Sequence, residues 1–209
     1  ALEIGHIADT DGRGDYRQTD PKEYVPYIEK FMEYCSPSLY PKIIDLGAGN
    51  GISTTLLGKF YEEILALSFN EPPPEANIGY PAKKSWCVGD FHQLGWHKAF
   101  TLRKSYDAIF CLQSLEHALS AWLILLESRK ILRDGGRFFL DAPDPDDPAM
   151  LATVQHVSVL YANQWKALFA KTGYKMVADF SVKHRLGFVF EKLPDKSFES
   201  WGWIAEYYL

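Results

Sequence analysis

The sequence predicts an α/β domain: a doubly wound, mostly parallel seven-stranded sheet with an antiparallel C-terminal edge strand. Three observations predict it. Short apolar runs rich in β-branched residues alternate with helical patterns from residue 42 to residue 142. The first run ends in a glycine loop that opens a helix, Asp45-Leu46-Gly47-Ala48-Gly49-Asn50-Gly51. The last two runs, Tyr174–Val182 and Leu186–Glu191, leave no room for a crossover helix and read as an antiparallel pair.

The elements follow in order. Residues 1–20 are polar and glycine-bearing and read as a lead-in. Asp20-Pro21-Lys22-Glu23 starts a helix, with Asp as N-cap, Pro at the first helical position and Glu at the third. Tyr24, Ile28, Phe31, Met32 and Cys35 continue it at helical spacing, with Pro26 as an expected kink, until Ser36-Pro37. Lys42–Leu46 is a buried strand, Ile52–Phe60 a helix, and Glu63–Phe69 a second strand. Glu71-Pro72-Pro73-Pro74 opens a loop. Lys84–Val88 and Tyr106–Leu112 are strands three and four. Leu115–Leu132 reads as one long helix closed by Asp134-Gly135-Gly136, and Arg137–Ala142 as strand five. Pro143–Met150 reads as a loop, acidic at Asp144, Asp146 and Asp147 beside Asp141. Asn163–Lys171 is a helix with Trp165, Leu168 and Phe169 on one face, stopped at Gly173. Residues 1–40 are thus a lead-in and helix, 41–193 the main domain, and 194–209 an aromatic tail.

Composition bounds the function classes. The 209 residues are 47% hydrophobic and 23% charged, which excludes a disordered chain. With 22 basic against 27 acidic residues the net charge is −5, so nucleic acid is not an expected partner. Cys35, Cys87 and Cys111 are far apart and read as reduced core thiols. The longest apolar run, Ala121–Leu126, is far shorter than a bilayer span, and no signal-peptide pattern starts at Ala1. A cytoplasmic protein without membrane insertion is expected. The tail residues Phe198, Trp201, Trp203, Tyr207 and Tyr208 are expected to pack on the domain or on a second copy in a homo-oligomer.

The glycine loop carries the strongest local signal. Glycine allows close backbone approach to a ligand, at a helix N-terminus with free N–H groups. A dinucleotide-type GxGxxG loop needs glycine at position 52, where Ile52 stands, which weakens a nicotinamide-dependent oxidoreductase. The pattern is acid-x-Gly-x-Gly-x-Gly. Gly89-Asp90-Phe91-His92 follows strand three, Leu112-Gln113-Ser114-Leu115-Glu116-His117 ends strand four, and Lys130-Ile131-Leu132-Arg133-Asp134-Gly135-Gly136-Arg137 leads into strand five.

Taken together over residues 40–190, these segments resemble the Rossmann-like class I S-adenosylmethionine (SAM) dependent methyltransferases, in the subgroup with Leu-Glu-His after strand four. The resemblance implies SAM as cofactor. It places the methionine part on Asp45, Gly47, Ala48, Gly49 and Gly51, and beside Leu112 and Gln113. It places the adenine on Asp90 and the Phe91 backbone. The family's ribose-binding acid falls on Ser68, a departure, since a serine cannot act as a bidentate carboxylate. Phe69 and, if the loop bends inward, Asn70 or Glu71 border the same position.

Resemblance and chemistry together single out two histidines. His117 follows strand four and His156 lies between strand five and the Trp165 helix, so both reach the ligand-binding edge. They are the expected catalytic groups, orienting or deprotonating an acceptor. Some relatives, among them small-RNA 3′-terminal ribose methyltransferases, bind a divalent metal through Glu-x-x-Glu-His. Here the match is Gln113-x-x-Glu116-His117, with an amide in place of the first carboxylate. Glu116, His117 and His156 remain as a candidate metal set. His92, and Tyr16 with Arg17 as a lid, are lesser candidates. The expected function is methyl transfer to O or N of a small-molecule acceptor. The alternatives are a metal-assisted RNA ribose 2′-O-methyltransferase and a catalytically degenerate binding or scaffold protein of the same fold.

Overall fold

The structure, a computed structural model, describes residues 20–69, 83–90 and 106–195. The lead-in, the triple-proline loop, Asn70, Glu71, Phe91, His92 and the aromatic tail lie outside the described residues.

Seven strands form one sheet: β1 (Lys42–Leu46), β2 (Glu63–Ser68), β3 (Lys83–Val88), β4 (Tyr106–Leu112), β5 (Leu132–Pro143), β6 (Tyr174–Asp179) and β7 (Arg185–Lys192). Their spatial order is β3-β2-β1-β4-β5-β7-β6. The first five pair in parallel. β7 runs antiparallel to β5 and to β6, which leaves β6 at the edge. Among the described residues, five α-helices accompany the sheet: α1 (Val25–Tyr34), α2 (Ile52–Leu57), α3 (Ala121–Ile131), α4 (Pro148–Ala152) and α5 (Ala162–Lys171).

Strand periodicity divides the core into two layers. Ile43, Ile64, Phe110, Phe139 and Val189 face α1 and α2, where Ile28, Phe31 and Leu57 cover them. Their neighbours Ile44, Leu65, Cys111, Phe138 and Phe190 face the other way, under Ile124 and Leu125 of α3 and Trp165 and Phe169 of α5. Aromatic contacts pin each layer. Phe31 meets Phe110 edge-on at 5.2 Å between centroids, and Phe169 stacks on Phe190 at 3.7 Å. All three cysteines are buried and unpaired, so they pack as core residues.

Four expectations are corrected. The single helix over 115–132 is two pieces. A 3-10 turn spans Leu115–His117, and α3 starts afresh at Ala121. Ser120 supplies the new N-cap, its hydroxyl accepting from the Leu123 N–H at 3.3 Å. The Ala118 carbonyl is also drawn away, accepting from the Ser158 hydroxyl at 2.6 Å. Second, the acidic loop contains a helix. Asp147 caps α4 by accepting from Ala149 N–H at 3.0 Å, with Pro148 at N1. Third, the Asp20 cap serves a 3-10 turn, Pro21–Glu23, and the α-helix proper begins at Val25. Pro26 falls in its first turn, where the missing N–H costs nothing. Finally, α2 stops at Leu57, short of Phe60.

Candidate functional site

Chain order reverses between β1 and β4: from β1 the chain moves outward to β2 and β3, then returns to β4 on the other side. The carboxyl ends of these two strands form the crevice where open α/β sheets bind ligands. The glycine loop leaves one and the Gln113–His117 segment leaves the other.

The glycine loop is shaped by backbone demands. Gly47, Gly49 and Gly51 have φ values of 82°, 54° and 79°, a left-handed conformation that side chains disfavour. The Gly47 and Ala48 N–H groups both donate to the Leu67 carbonyl at 2.9 Å, which ties the loop to β2. Asp45 lies buried beneath it. Its Oδ2 accepts from the Ser53 hydroxyl at 2.7 Å and the Thr54 hydroxyl at 2.6 Å. Burial raises its pKa to about 6, and the two hydroxyls oppose the rise. Asp45 is therefore first a brace between β1 and the first turn of α2. Ser68 is buried at the end of β2, its hydroxyl 3.4 Å from the Gly49 carbonyl. Phe69 follows it, exposed at the crevice edge. Asp90 stands two residues beyond β3, at the same edge of the sheet. Phe91 lies outside the described residues.

The tip of β4 is held more tightly. Gln113 has a φ of +47°, one of two left-handed non-glycine residues among those described. Its N–H donates to the Asp141 carbonyl at 2.9 Å, and its side-chain amide donates to Asp141 Oδ1 at 2.7 Å. Asp141, buried near the end of β5, also takes Arg185 Nε at 2.7 Å and 3.0 Å on its two oxygens. Arg185 donates onward to the Tyr27 hydroxyl, and its guanidinium carbon lies 4.0 Å from the centroid of that ring. Burial raises the Asp141 pKa, and Arg185 acts against it. This network joins α1, β4, β5 and β7. Neither Arg185 nor Tyr27 was among the candidates, because no periodicity or motif connects positions 27, 141 and 185. Ser114 completes the join, its hydroxyl lying 3.3 Å from the Gly47 carbonyl.

Next to it, His117 and His156 meet across 39 sequence positions. Their ring centroids are 4.9 Å apart in an edge-on arrangement. The loop between α4 and α5 is stitched to the 3-10 turn, with Val157 and Ser158 N–H both donating to the Glu116 carbonyl at 2.8 and 2.9 Å. His117 Nδ1 lies 3.2 Å from the Gln155 carbonyl and His156 Nδ1 2.9 Å from the Met150 carbonyl. A carbonyl only accepts, so each Nδ1 carries the proton and each Nε2 keeps its lone pair. Burial lowers both pKa values, and for His117 the neighbouring His156 lowers it further. Both shifts favour the neutral rings.

Glu116 completes the cluster. It is buried, and its Oε2 has no hydrogen-bond partner. Burial raises its pKa to about 8, with Asp141 adding to the rise. Glu116, His117 and His156 each offer one ligand atom within 4.8 Å of the others. Two imidazole nitrogens with free lone pairs and an unpartnered buried carboxylate fit a divalent first-row metal.

A family profile described as a methyltransferase domain matches residues 16–179. An O-methyltransferase, cnsE, of Penicillium expansum is 27% identical over 153 residues. That match covers 68% of this chain and 55% of the relative, so the chain spans about half the length of that protein. Among solved structures, a SAM-dependent methyltransferase described as putative from Listeria monocytogenes superposes with a TM-score of 0.63 at 12% identity. It covers 81% of this chain and 100% of its own. A sarcosine dimethylglycine methyltransferase of Galdieria sulphuraria, likewise described as putative, gives 0.64 at 14% identity over 82% and 86%. These identities speak for the fold alone. Among the described residues no helix is long and apolar enough to cross a membrane. The family profile, spanning well over half of the sequence and the whole glycine-loop crevice, shows that the chain belongs to the methyltransferase-domain family of class I SAM-dependent methyltransferases.

Proposed function

We propose that the chain catalyses SAM-dependent methyl transfer to an oxygen or nitrogen of a small-molecule acceptor. The observation that carries this reading is the neutral His117–His156 pair, with both Nε2 lone pairs available, beside the topological switch point of the sheet.

The residues divide the work. The left-handed glycine loop, braced by Asp45, lets the cofactor's methionine end approach the backbone. Asp90, at the edge beyond β3, accepts from the adenine amino group. The Gln113–Asp141–Arg185 network holds the β4 tip that borders the methyl group. SAM, when bound, would supply the methyl group to an acceptor lone pair in an in-line displacement, its sulfur taking the electrons of the broken bond and leaving as S-adenosylhomocysteine. The acceptor proton passes to a histidine Nε2, since the bond formed makes the acceptor atom acidic. An amine that is already neutral needs only to be oriented and loses its proton afterwards.

A second reading adds a metal, favoured by the unpartnered Glu116 Oε2. Glu116, His117 and His156 would hold a divalent cation, which would supply Lewis-acid polarisation of an acceptor hydroxyl. Titration with Mn²⁺, Mg²⁺ or Zn²⁺ in a calorimeter tests it. Heat of binding that disappears in Glu116→Gln supports the metal; no binding of any of the three removes it. The methyl-transfer reading itself is tested by His117→Ala and His156→Ala. Turnover should be lost with S-adenosylhomocysteine affinity unchanged, and full turnover in both variants refutes the assignment.

A further inference from the structure

The crevice between β1 and β4 has a support that stands outside it. Helix α1 crosses one face of the sheet from the crevice edge to the opposite edge. Its first turn is at the crevice edge, where Tyr27 meets Arg185, the residue of β7 that pairs with Pro143 at the end of β5. Its last residue is at the other edge. There the Tyr34 carbonyl accepts from Arg137, which pairs with Glu191 near the far end of β7. One helix thus spans both ends of the same strands, and its first turn reaches the ligand-binding end.

From that turn, hydrogen bonds run to both lips of the crevice. The Tyr27 hydroxyl accepts from Arg185. Arg185 Nε donates to Asp141, and Asp141 Oδ1 also accepts from the Gln113 amide. Gln113 is the left-handed residue at the tip of β4. Its neighbour Ser114 places a hydroxyl 3.3 Å from the Gly47 carbonyl of the glycine loop.

Arg185 is the member whose orientation matters most. Asp141 is buried, so the strength of its pairing depends on how the guanidinium faces it. Tyr27 fixes that facing twice. Its hydroxyl takes one guanidinium nitrogen, and its ring centroid lies 4.0 Å from the guanidinium carbon.

Resting on the methyl-transfer reading above, we propose that Tyr27 is a positioning residue for cofactor binding. It orients Arg185, which through Asp141 and Gln113 sets the β4 tip against the glycine loop where the methionine end of the cofactor lies.

Calorimetric titration with S-adenosylhomocysteine, run below the melting transition of each protein, tests the proposal. Tyr27→Phe keeps the ring and removes only the hydroxyl. Kd should rise about 3- to 30-fold, the usual range for a residue that acts on a ligand through others. Tyr34→Phe makes the same change at the other end of the same helix, and Kd should stay within about twofold of the wild type. Arg185→Lys keeps a cation for Asp141 but loses the planar fork that spans Asp141 and Tyr27. Its Kd should rise comparably, and adding Tyr27→Phe to it should raise Kd no further.

Unchanged affinity in Tyr27→Phe overturns the proposal. So does an equal loss in Tyr34→Phe, which would trace the effect to the helix as a whole. Losses that multiply in the double variant overturn it too, since Tyr27 would then act without Arg185. A wild-type protein that binds no S-adenosylhomocysteine is a different failure. It removes the methyl-transfer reading before any substitution is made, and with it the cofactor that Tyr27 would position.

Discussion

Gln113 offers a test in which two opposing effects separate cleanly. Its backbone sits at a φ of +47°, and its side chain donates to Asp141 at 2.7 Å. The left-handed conformation costs a non-glycine residue about 1–2 kcal/mol. A hydrogen bond to a carboxylate is worth about 1.5–3 kcal/mol. Gln113→Ala keeps the strain and loses the bond, so the protein should be destabilised by about 1.5–3 kcal/mol. Gln113→Gly loses the same bond and also relieves the strain, which returns about 1–2 kcal/mol. Glycine also costs about 0.5–1 kcal/mol of unfolded-chain entropy, so it should end as the more stable of the two variants by roughly 0.5–1 kcal/mol. At an ordinary backbone position the order is reversed, with alanine ahead by about 0.5–1 kcal/mol. The assay is urea denaturation of the three proteins at pH 7. Alanine equal to or above glycine would refute the claim that Asp141 holds a strained strand tip.

Other expectations follow from the same structure. Asp90→Ala should weaken SAM binding by about 1–3 kcal/mol in a calorimetric titration, and unchanged affinity would take Asp90 out of the site. Gly187→Ala places a methyl group 2.2 Å from the Phe180 ring, so it should destabilise by about 1–3 kcal/mol in the same urea assay. Burial lowers the His117 and His156 pKa values, so these rings stay neutral to a lower pH than free histidine. Turnover by a neutral base is then present at pH 7 and lost as pH falls below the ordinary histidine range. Stability should fall in the same window, because the unfolded chain there binds more protons than the folded one. A loss of stability on acidification that persists unchanged in the double histidine-to-alanine variant would show that other groups cause it.

The central strands β1, β2, β4 and β5 were legible because they are mostly buried on both faces and read as short runs dominated by apolar residues. Tyr106–Leu112 is expected and found with the same ends. The glycine loop was legible for a similar reason: left-handed turns leave few residue choices, and Gly47, Gly49 and Gly51 all occupy them. The break at residues 118–120 was not. Leu115 to Leu132 keeps a helical apolar pattern throughout, and only the side chains of Ser120 and Ser158 end one turn and start the next helix. The short helix α4 did have a local signal, Asp147 followed by Pro148, hidden among neighbouring prolines. The histidine pair could be found only through a family-like motif, since positions 117 and 156 share no local pattern. The Tyr27–Arg185–Asp141 network is farther still from local signals. Its members lie on three elements, and the tertiary fold alone brings them together.

The central claim is that the crevice between β1 and β4 binds SAM for methyl transfer. Calorimetric titration of the protein with SAM, S-adenosylhomocysteine and NAD tests it most directly. Micromolar binding of both SAM-type ligands and none of NAD is expected. Absence of binding by SAM and S-adenosylhomocysteine alike would contradict it, and would mean that Ser68, where the family carries an acid, marks a cofactor site that has been lost.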